Sequence, residues 1–262
     1  MTRVAAVDCG TNSVRLLIAD IVPGEGGGTL TDVERRMEIV RLGEGVDETG
    51  RLSPAALERT FTAMRGYADL IERHGARAGK GPIKTRVVAT SATRDAENRS
   101  DFVNGVVDIF GVVPEVISGD EEAELSFTGA TRELAALRPA RPYLVVDIGG
   151  GSTEFVLGAT EPEQLISVDM GCVRMTERHL TSNPPTEAQL RACFVDVQRV
   201  LETVRARVDV ARARRMIGVA GTVTTLAALH KGLTHYDPVE THHAVLTREA
   251  VEALYARLSR TT

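Results

Sequence analysis

The sequence predicts an α/β fold in two related lobes, each built on a mixed sheet. Three observations point there. Apolar, β-rich runs alternate with amphipathic helical stretches along the 262 residues, as they do where helices cover a sheet. Short turns of Gly, Asn and Ser join some of those runs into hairpins, which makes neighbouring strands antiparallel within sheets whose other strands are linked by helices. A strand-turn-strand segment also occurs twice: Val4–Ala19 lies over Tyr143–Gly158, 139 residues on, with Asp8 on Asp147, Gly10 on Gly149 and Ser13 on Ser152. Duplication at so long a period means two similar domains, and the chain has room for two; the boundary is placed between residues 121 and 122.

Val4–Val7 is an apolar strand, DCGTNS at 8–13 the turn, and Val14–Ile21 the returning strand. GEGGG at 24–28 is the next turn. Ser53-Pro54 opens a helix, Ser as N-cap and Pro at the first helical position, whose amphipathic pattern runs to about His74. Thr85–Ala89 is a short strand, and TSATRDAEN at 90–98 leads into a helix ending near Gly111. Val112–Ile117 reads as a strand, and SGDEEAELSFTGATREL as a helix capped by Ser118. Tyr143–Val146 delivers DIGGGSTE at 147–154, and Phe155–Leu157 leaves it. Beyond Val168, residues 171–180 and 186–208 carry helical periodicity; Met216–Val219 is a strand, AGTVTTLAALH turns from it into a helix, and Thr247–Leu258 is the last helix.

With 43% hydrophobic and 26% charged residues the composition is that of a globular protein. No apolar run approaches the about 18 residues of a membrane span, and MTRVAAVDCG runs into a strand rather than a signal peptide, so the cytoplasm is the expected compartment. The net charge of −5 divides as −4 for residues 1–121 and −1 for the rest. Neither part is basic enough for a duplex nucleic-acid surface, and any polyanion must be gripped locally. Cys9, Cys172 and Cys193 are odd in number, widely spaced and outside zinc-ligating patterns, hence free thiols.

A turn of Gly, Ser, Thr and Asn exposes backbone N–H groups with little side chain in the way, which suits phosphate oxygens. DCGTNS offers Gly10, Thr11, Asn12 and Ser13; DIGGGSTE offers Gly149, Gly150, Gly151 and Ser152. Either alone reads as an ordinary hairpin turn, whereas the matched pair reads as two cradles for adjacent phosphates. The second loop also carries a carboxylate at each end, Asp147 and Glu154. Carboxylates repel phosphate unless a cation stands between, and Mg²⁺ takes one or two carboxylates with water and substrate oxygens. The repeat sets Glu154 opposite Arg15, so Asp147 belongs to the shared loop design and Glu154 to the second lobe alone.

VAAVDCGTNSVRLLI, VVATSATRDAEN, VISGDEEAEL, VVDIGGGSTEFV and IGVAGTVTTLAAL, in this order, resemble the Ppx/GppA family of exopolyphosphatases and guanosine pentaphosphate phosphohydrolases. The resemblance runs from residue 4 to the end. It implies the architecture of actin, hexokinase and the heat-shock chaperones: two ribonuclease H-like (actin-like ATPase) domains with mixed sheets and the active site in an interdomain cleft. Gly218–Thr222 falls at that architecture's nucleotide-side loop, which makes Gly221 and Thr222 substrate-binding candidates. The resemblance implies a general base at Glu122, the second Glu of SGDEEA; position alone would make Asp120, Glu121 and Glu122 first-turn acids favoured by the helix dipole. Asp147 and Glu154 resemble the family's metal-associated acids, with Mg²⁺ (or Mn²⁺) as cofactor, and Arg94 its basic residue facing the anionic substrate. Arg15 is a candidate second cation. Arg174, in MGCVRMTE, lies near the start of a helix that lines the cleft or covers it. His242 and His243 read as structural, since adjacent residues do not share a helix face.

The implied activity is hydrolysis of the terminal phosphoanhydride of inorganic polyphosphate, releasing orthophosphate. Removal of the terminal phosphate of guanosine pentaphosphate by the same residues, a step in the stringent response, is equally open from sequence, with (p)ppGpp then a partner. A non-catalytic alarmone or polyphosphate sensor gains nothing from Glu122 and Glu154. A sugar or acetate kinase of the same superfold needs an acid for the acceptor hydroxyl and an adenine pocket, and SGDEEA fits the phosphatase better. Longer family members append helical domains; the resemblance here is to a short form, with short polyphosphates as expected substrates. The family continues past the last helix with a strand and a Gly-containing segment, so the second lobe is expected to be incomplete at Thr262. A homodimer is expected by analogy.

Overall fold

The computed structural model describes residues 1–24, 28–77, 82–132, 134 and 140–260. The chain divides into two compact units, Met1–Ser118 and Gly119–Thr262. The first holds β1 (Thr2–Cys9), β2 (Ser13–Val22), β3 (Thr29–Ile39), α1 (Val46–Thr49), α2 (Pro54–Arg77), β4 (Lys84–Ala89), α3 (Ser91–Asp95), α4 (Arg99–Phe110) and β5 (Glu115–Val116). The second holds α5 (Gly119–Arg132), β6 (Tyr143–Ile148), β7 (Thr153–Gly158), β8 (Pro162–Val168), α6 (Cys172–His179), α7 (Glu187–Arg207), β9 (Arg215–Val219), α8 (Ala220–His230), α9 (Pro238–Thr241) and α10 (Arg248–Leu258).

The duplication is visible in the pairing. Strand orders are β3-β2-β1-β4-β5 and β8-β7-β6-β9. In each sheet an antiparallel three-strand meander is extended by a parallel neighbour of its first strand, β4 beside β1 and β9 beside β6. Both sheets are therefore mixed, and both hairpin turns leave the sheet where a following parallel strand also ends.

In the first unit Val7, Cys9, Val14, Leu16 and Ile18 point to one face and pack on α2 and α4 through Leu57, Met64, Tyr67, Phe102 and Val106. The buried positions of α2 recur at helical spacing. The helix starts as expected, with Ser53 Oγ accepting from the Ala56 amide at 3.2 Å, and continues to Arg77. In the second unit both faces of the sheet are covered. Leu144, Val146, Phe155 and Leu157 meet Val204 and Val208 at the end of α7, while Val145 and Val156 meet Ala123 and Phe127 of α5. Every residue of β7 is consequently buried, each large apolar side chain contributing roughly 1.5–3 kcal/mol.

Three local expectations change. The strand expected over 112–117 pairs only at Glu115 and Val116, because Pro114 has no N–H for a ladder and bounds it. The segment after Thr90 is two helices, broken at Ala96–Asn98: Asn98 accepts from the Leu52 amide at 2.8 Å and donates to the Leu52 carbonyl at 3.1 Å, a bracket that leaves α4 to begin at Arg99. The rings of His242 and His243 lie 3.8 Å apart, since the chain leaves α9 at His242 and turns left-handed at His243, so helix-face spacing does not govern them. Of the turn expected at 24–28, residues 25–27 lie outside the described residues. Cys9, Cys172 and Cys193 are free thiols. No helix among the described residues is long and apolar enough to cross a membrane.

Candidate active site

The two predicted loops are built alike. In each, the amide of the first glycine donates to the carbonyl of the serine three residues on, Gly10 to Ser13 and Gly149 to Ser152, both at 3.0 Å. In each, the loop carbonyls are held by the chain that follows the third strand. In the first unit Val40 and Arg41 donate to the Asn12 carbonyl at 3.0 and 2.9 Å, and Gly43 to that of Thr11 at 2.8 Å. In the second the amides opening α6 do this: Cys172 to Gly149 at 3.0 Å, and Val173 and Arg174 to Gly150 at 2.9 and 3.1 Å. Among the described residues the amides of Thr11, Asn12, Gly150, Gly151 and Ser152 donate to no backbone carbonyl. With carbonyls spent and amides unspent, both loops are polarised as anion cradles.

The loops differ in what stands across the hairpin. Asp8 pairs with Arg15 in the register of β1 and β2, and the side chains approach to 3.9 Å, each nearly half exposed. Arg15 is thus engaged with the loop's own aspartate. Asp147 pairs with Glu154 in the same place between β6 and β7. These two carboxylates point to the face covered by α5, because alternate residues share a face with Val145 and Val156.

α5 adds to them. Ala123 and Phe127 set its sheet-facing stripe, which places Ser126 one turn beyond Glu122 on the same side. Ser126 Oγ donates to Asp147 Oδ2 at 2.5 Å. Glu154 is 1% exposed; Ser167, its partner in the β7–β8 register, donates to Oε1 at 2.7 Å, and the Ser152 hydroxyl bonds the same carboxyl. Burial, the charge of Glu122 and then that of Asp147 push the Glu154 pKa up to about 8, with the serine hydroxyls opposing. Asp147 and Glu154 thus stand opposite each other beside the 149–152 loop, with Glu122 on α5 near enough for its charge to act on Glu154.

Gly221 and Thr222 open α8, which follows β9 immediately. β9 pairs with β6 so that Val219 lies opposite Asp147, setting the orphan amides of the first turn of α8 at the same end of the sheet. Ala220, the first residue of α8 after β9, takes φ +70°, a left-handed alanine that costs roughly 1–3 kcal/mol. Arg94 belongs to the first unit, where Nη1 donates to the Ile117 carbonyl at 2.9 Å, just ahead of SGDEEA. Among the described residues no group of three His, Cys, Asp or Glu is arranged to close around a metal ion.

Ser126 and Ser167 escaped the sequence reading. Both were within reach of it, Ser126 as the i+4 neighbour of Glu122 and Ser167 as the hairpin partner of Glu154, but a single serine carries too little signal to single out. Arg174, left between two roles, donates from Nε to the Gly151 carbonyl at 2.7 Å.

Comparison with known proteins identifies the family. A model of the Ppx/GppA phosphatase family matches residues 17–262. Exopolyphosphatase 2 of Mycobacterium tuberculosis is 49% identical over 247 residues, 92% of this chain and 75% of that protein. The crystal structure of an exopolyphosphatase-like protein is similar with a TM-score of 0.88 and 43% identity, covering 100% of this chain and 79% of that one. The Aquifex aeolicus PPX-GPPA enzyme is similar with a TM-score of 0.77 and 34% identity, covering 99% and 81%. Matched over nearly its whole length, the chain belongs to the Ppx/GppA phosphatase family.

Proposed function

We propose that this chain is an exopolyphosphatase, a phosphoanhydride hydrolase that removes the terminal phosphate of inorganic polyphosphate as orthophosphate. The observation that carries this is the pairing of Asp147 with Glu154 at the rim of a glycine loop whose carbonyls are turned into α6, under the helix that bears Glu122. A protein that only bound a polyanion would be weakened by three carboxylates. One that must activate water beside a phosphate needs a base there and a cation to offset the rest. The exopolyphosphatase relatives support the same substrate class.

In this reading the amides of Gly150, Gly151 and Ser152 hold phosphate oxygens, and the first-unit loop, at Gly10–Ser13, offers donors of the same kind. Glu122 accepts a proton from the attacking water as its oxygen bonds to the terminal phosphorus; the bond to the bridging oxygen breaks, and the electron pair leaves on the shortened chain. Asp147 and Glu154 would hold Mg²⁺ (or Mn²⁺), which offsets charge on the phosphates. The donors fit such an ion: both are hard oxygen ligands, burial and then the charges of Glu122 and Asp147 raise the Glu154 pKa, and two carboxylates leave room for water and phosphate. The cytoplasm is the compartment in this reading, and (p)ppGpp the alternative ligand, since guanosine pentaphosphate presents the same terminal anhydride on another leaving group.

Phosphate release from polyphosphate and from guanosine pentaphosphate, with Mg²⁺ and after chelation, tests this. Wild-type protein should release phosphate from polyphosphate, and Glu122→Gln should lower kcat by about 10²–10⁴-fold. A Glu122→Gln variant as fast as wild type would remove the base, and hydrolysis of the pentaphosphate alone would replace the substrate.

A further inference from the structure

We propose that Arg174 is a positioning residue: together with the start of α6 it clamps the glycine loop so that the loop amides keep one direction, and it does so by holding a carbonyl rather than by meeting substrate. This rests on the phosphatase reading above. Three consecutive glycines have no conformational preference of their own, since nothing restricts φ to one sign, and an unheld GGG would turn its amides and carbonyls by equal chance toward a phosphate. Here each carbonyl has a donor from one short segment. Cys172 takes Gly149, Val173 and the Arg174 amide take Gly150, and the Arg174 guanidinium takes Gly151 at 2.7 Å.

Among the described residues no backbone amide outside the regular elements donates to the Gly151 carbonyl, and the bond to it is made by a side chain. That side chain is only 12% exposed, and Asp169, 3.9 Å from Nη2, is itself mostly exposed. The donor is Nε, fixed in the guanidinium plane; an ammonium cannot reproduce that geometry at the same Cα position. Gly171 sets the distance of the clamp, for a Cβ there would stand 2.3 Å from both the carbon and the oxygen of the Gly150 carbonyl. The first-unit loop makes the contrast. Its central residues, Thr11 and Asn12, have side chains that restrict the backbone, and main-chain amides hold their carbonyls.

Arg174→Lys and Arg174→Gln test the assignment in the full chain, with ¹⁵N order parameters of Gly150 and Gly151 in ¹⁵N-glycine-labelled protein read beside kcat/KM on polyphosphate and the melting temperature. In both variants the order parameters should drop from about 0.85 to below about 0.6. Both should lose about 10²-fold in kcat/KM, the scale of a displaced binding group, while melting remains cooperative. Gly171→Ala, which leaves Arg174 in place, should loosen the same two amides. If Lys restores kcat/KM, or if the glycine amides stay rigid in both variants, Arg174 acts as a charge toward substrate and the clamp is wrong. Wild-type protein with rigid glycines that loosen in the variants, yet with no phosphate release, would leave the clamp standing and sink the phosphatase reading instead.

Discussion

Glu154 is a carboxyl placed where its charge is disfavoured, buried on β7 beneath α5 and subject to the charges of Glu122 and Asp147. Two serine hydroxyls soften that environment without reversing it. Because its folded-state pKa, about 8, lies above the usual carboxylate value, the folded protein keeps a proton that the unfolded chain has released between roughly pH 4.5 and 8. The stability this proton confers is complete below that window and is lost as pH rises through it. Glu154→Gln keeps an acceptor for Ser167 and removes the titration. In chelator, the variant should therefore melt increasingly above wild type as pH goes from 5 to 8.5, while losing activity. Adding Mg²⁺ should close the gap at high pH, because an ion between the carboxylates offsets their charge. Melting curves at three pH values decide it, and a gap independent of pH would mean that Glu154 is not strained as described.

At the level of elements, the hairpins, the long helices and the parallel strands were legible because burial on one face writes a period into the sequence. β3 was not. Its residues are mostly exposed, it is held by the ladder to β2, and its charges, Glu34, Arg35 and Arg36, guard an edge rather than mark a core. The break between α3 and α4 was hidden for another reason, since Asn98 stops the helix by bonding Leu52, 46 residues away. That bracket has a measurable consequence. Asn98→Ala should leave the Leu52 amide and carbonyl without side-chain partners and lower stability by about 1–3 kcal/mol. Urea unfolding should show it as a lower midpoint at unchanged slope; a midpoint equal to wild type would make the bracket incidental. α5 illustrates the complementary case. Both lobes share the meander, and the face that α5 covers in the second unit corresponds to the face on which Asp8 and Arg15 remain half exposed in the first. Thus Glu122, carried by α5, and Glu154, buried on the face that α5 covers, come as a set.

For the whole molecule, the duplication pointed to both loops and, by setting Arg15 against Glu154, to what one lobe carries alone, whereas Glu122 was singled out only by the family resemblance. The direction of the loop amides was not in the sequence, since it is set by carbonyl partners in segments that follow the third strands. That direction has a consequence for binding. With −5 overall and neither part basic, net charge supplies no attraction for a polyanion, and the grip in this reading comes from amide dipoles and local charges. Ligands that replace six to ten condensed counterions lose about 10³–10⁵-fold in affinity between about 50 and 200 mM salt. A terminal phosphate held by amides releases few. The KM for polyphosphate should therefore rise by less than about tenfold over that range at fixed free Mg²⁺, and by a similar factor for short and long chains. Initial rates at the two KCl concentrations measure this. A rise of about 10³-fold for long chains alone would show a basic track along the polymer and would overturn the view that this protein grips polyphosphate only at its end.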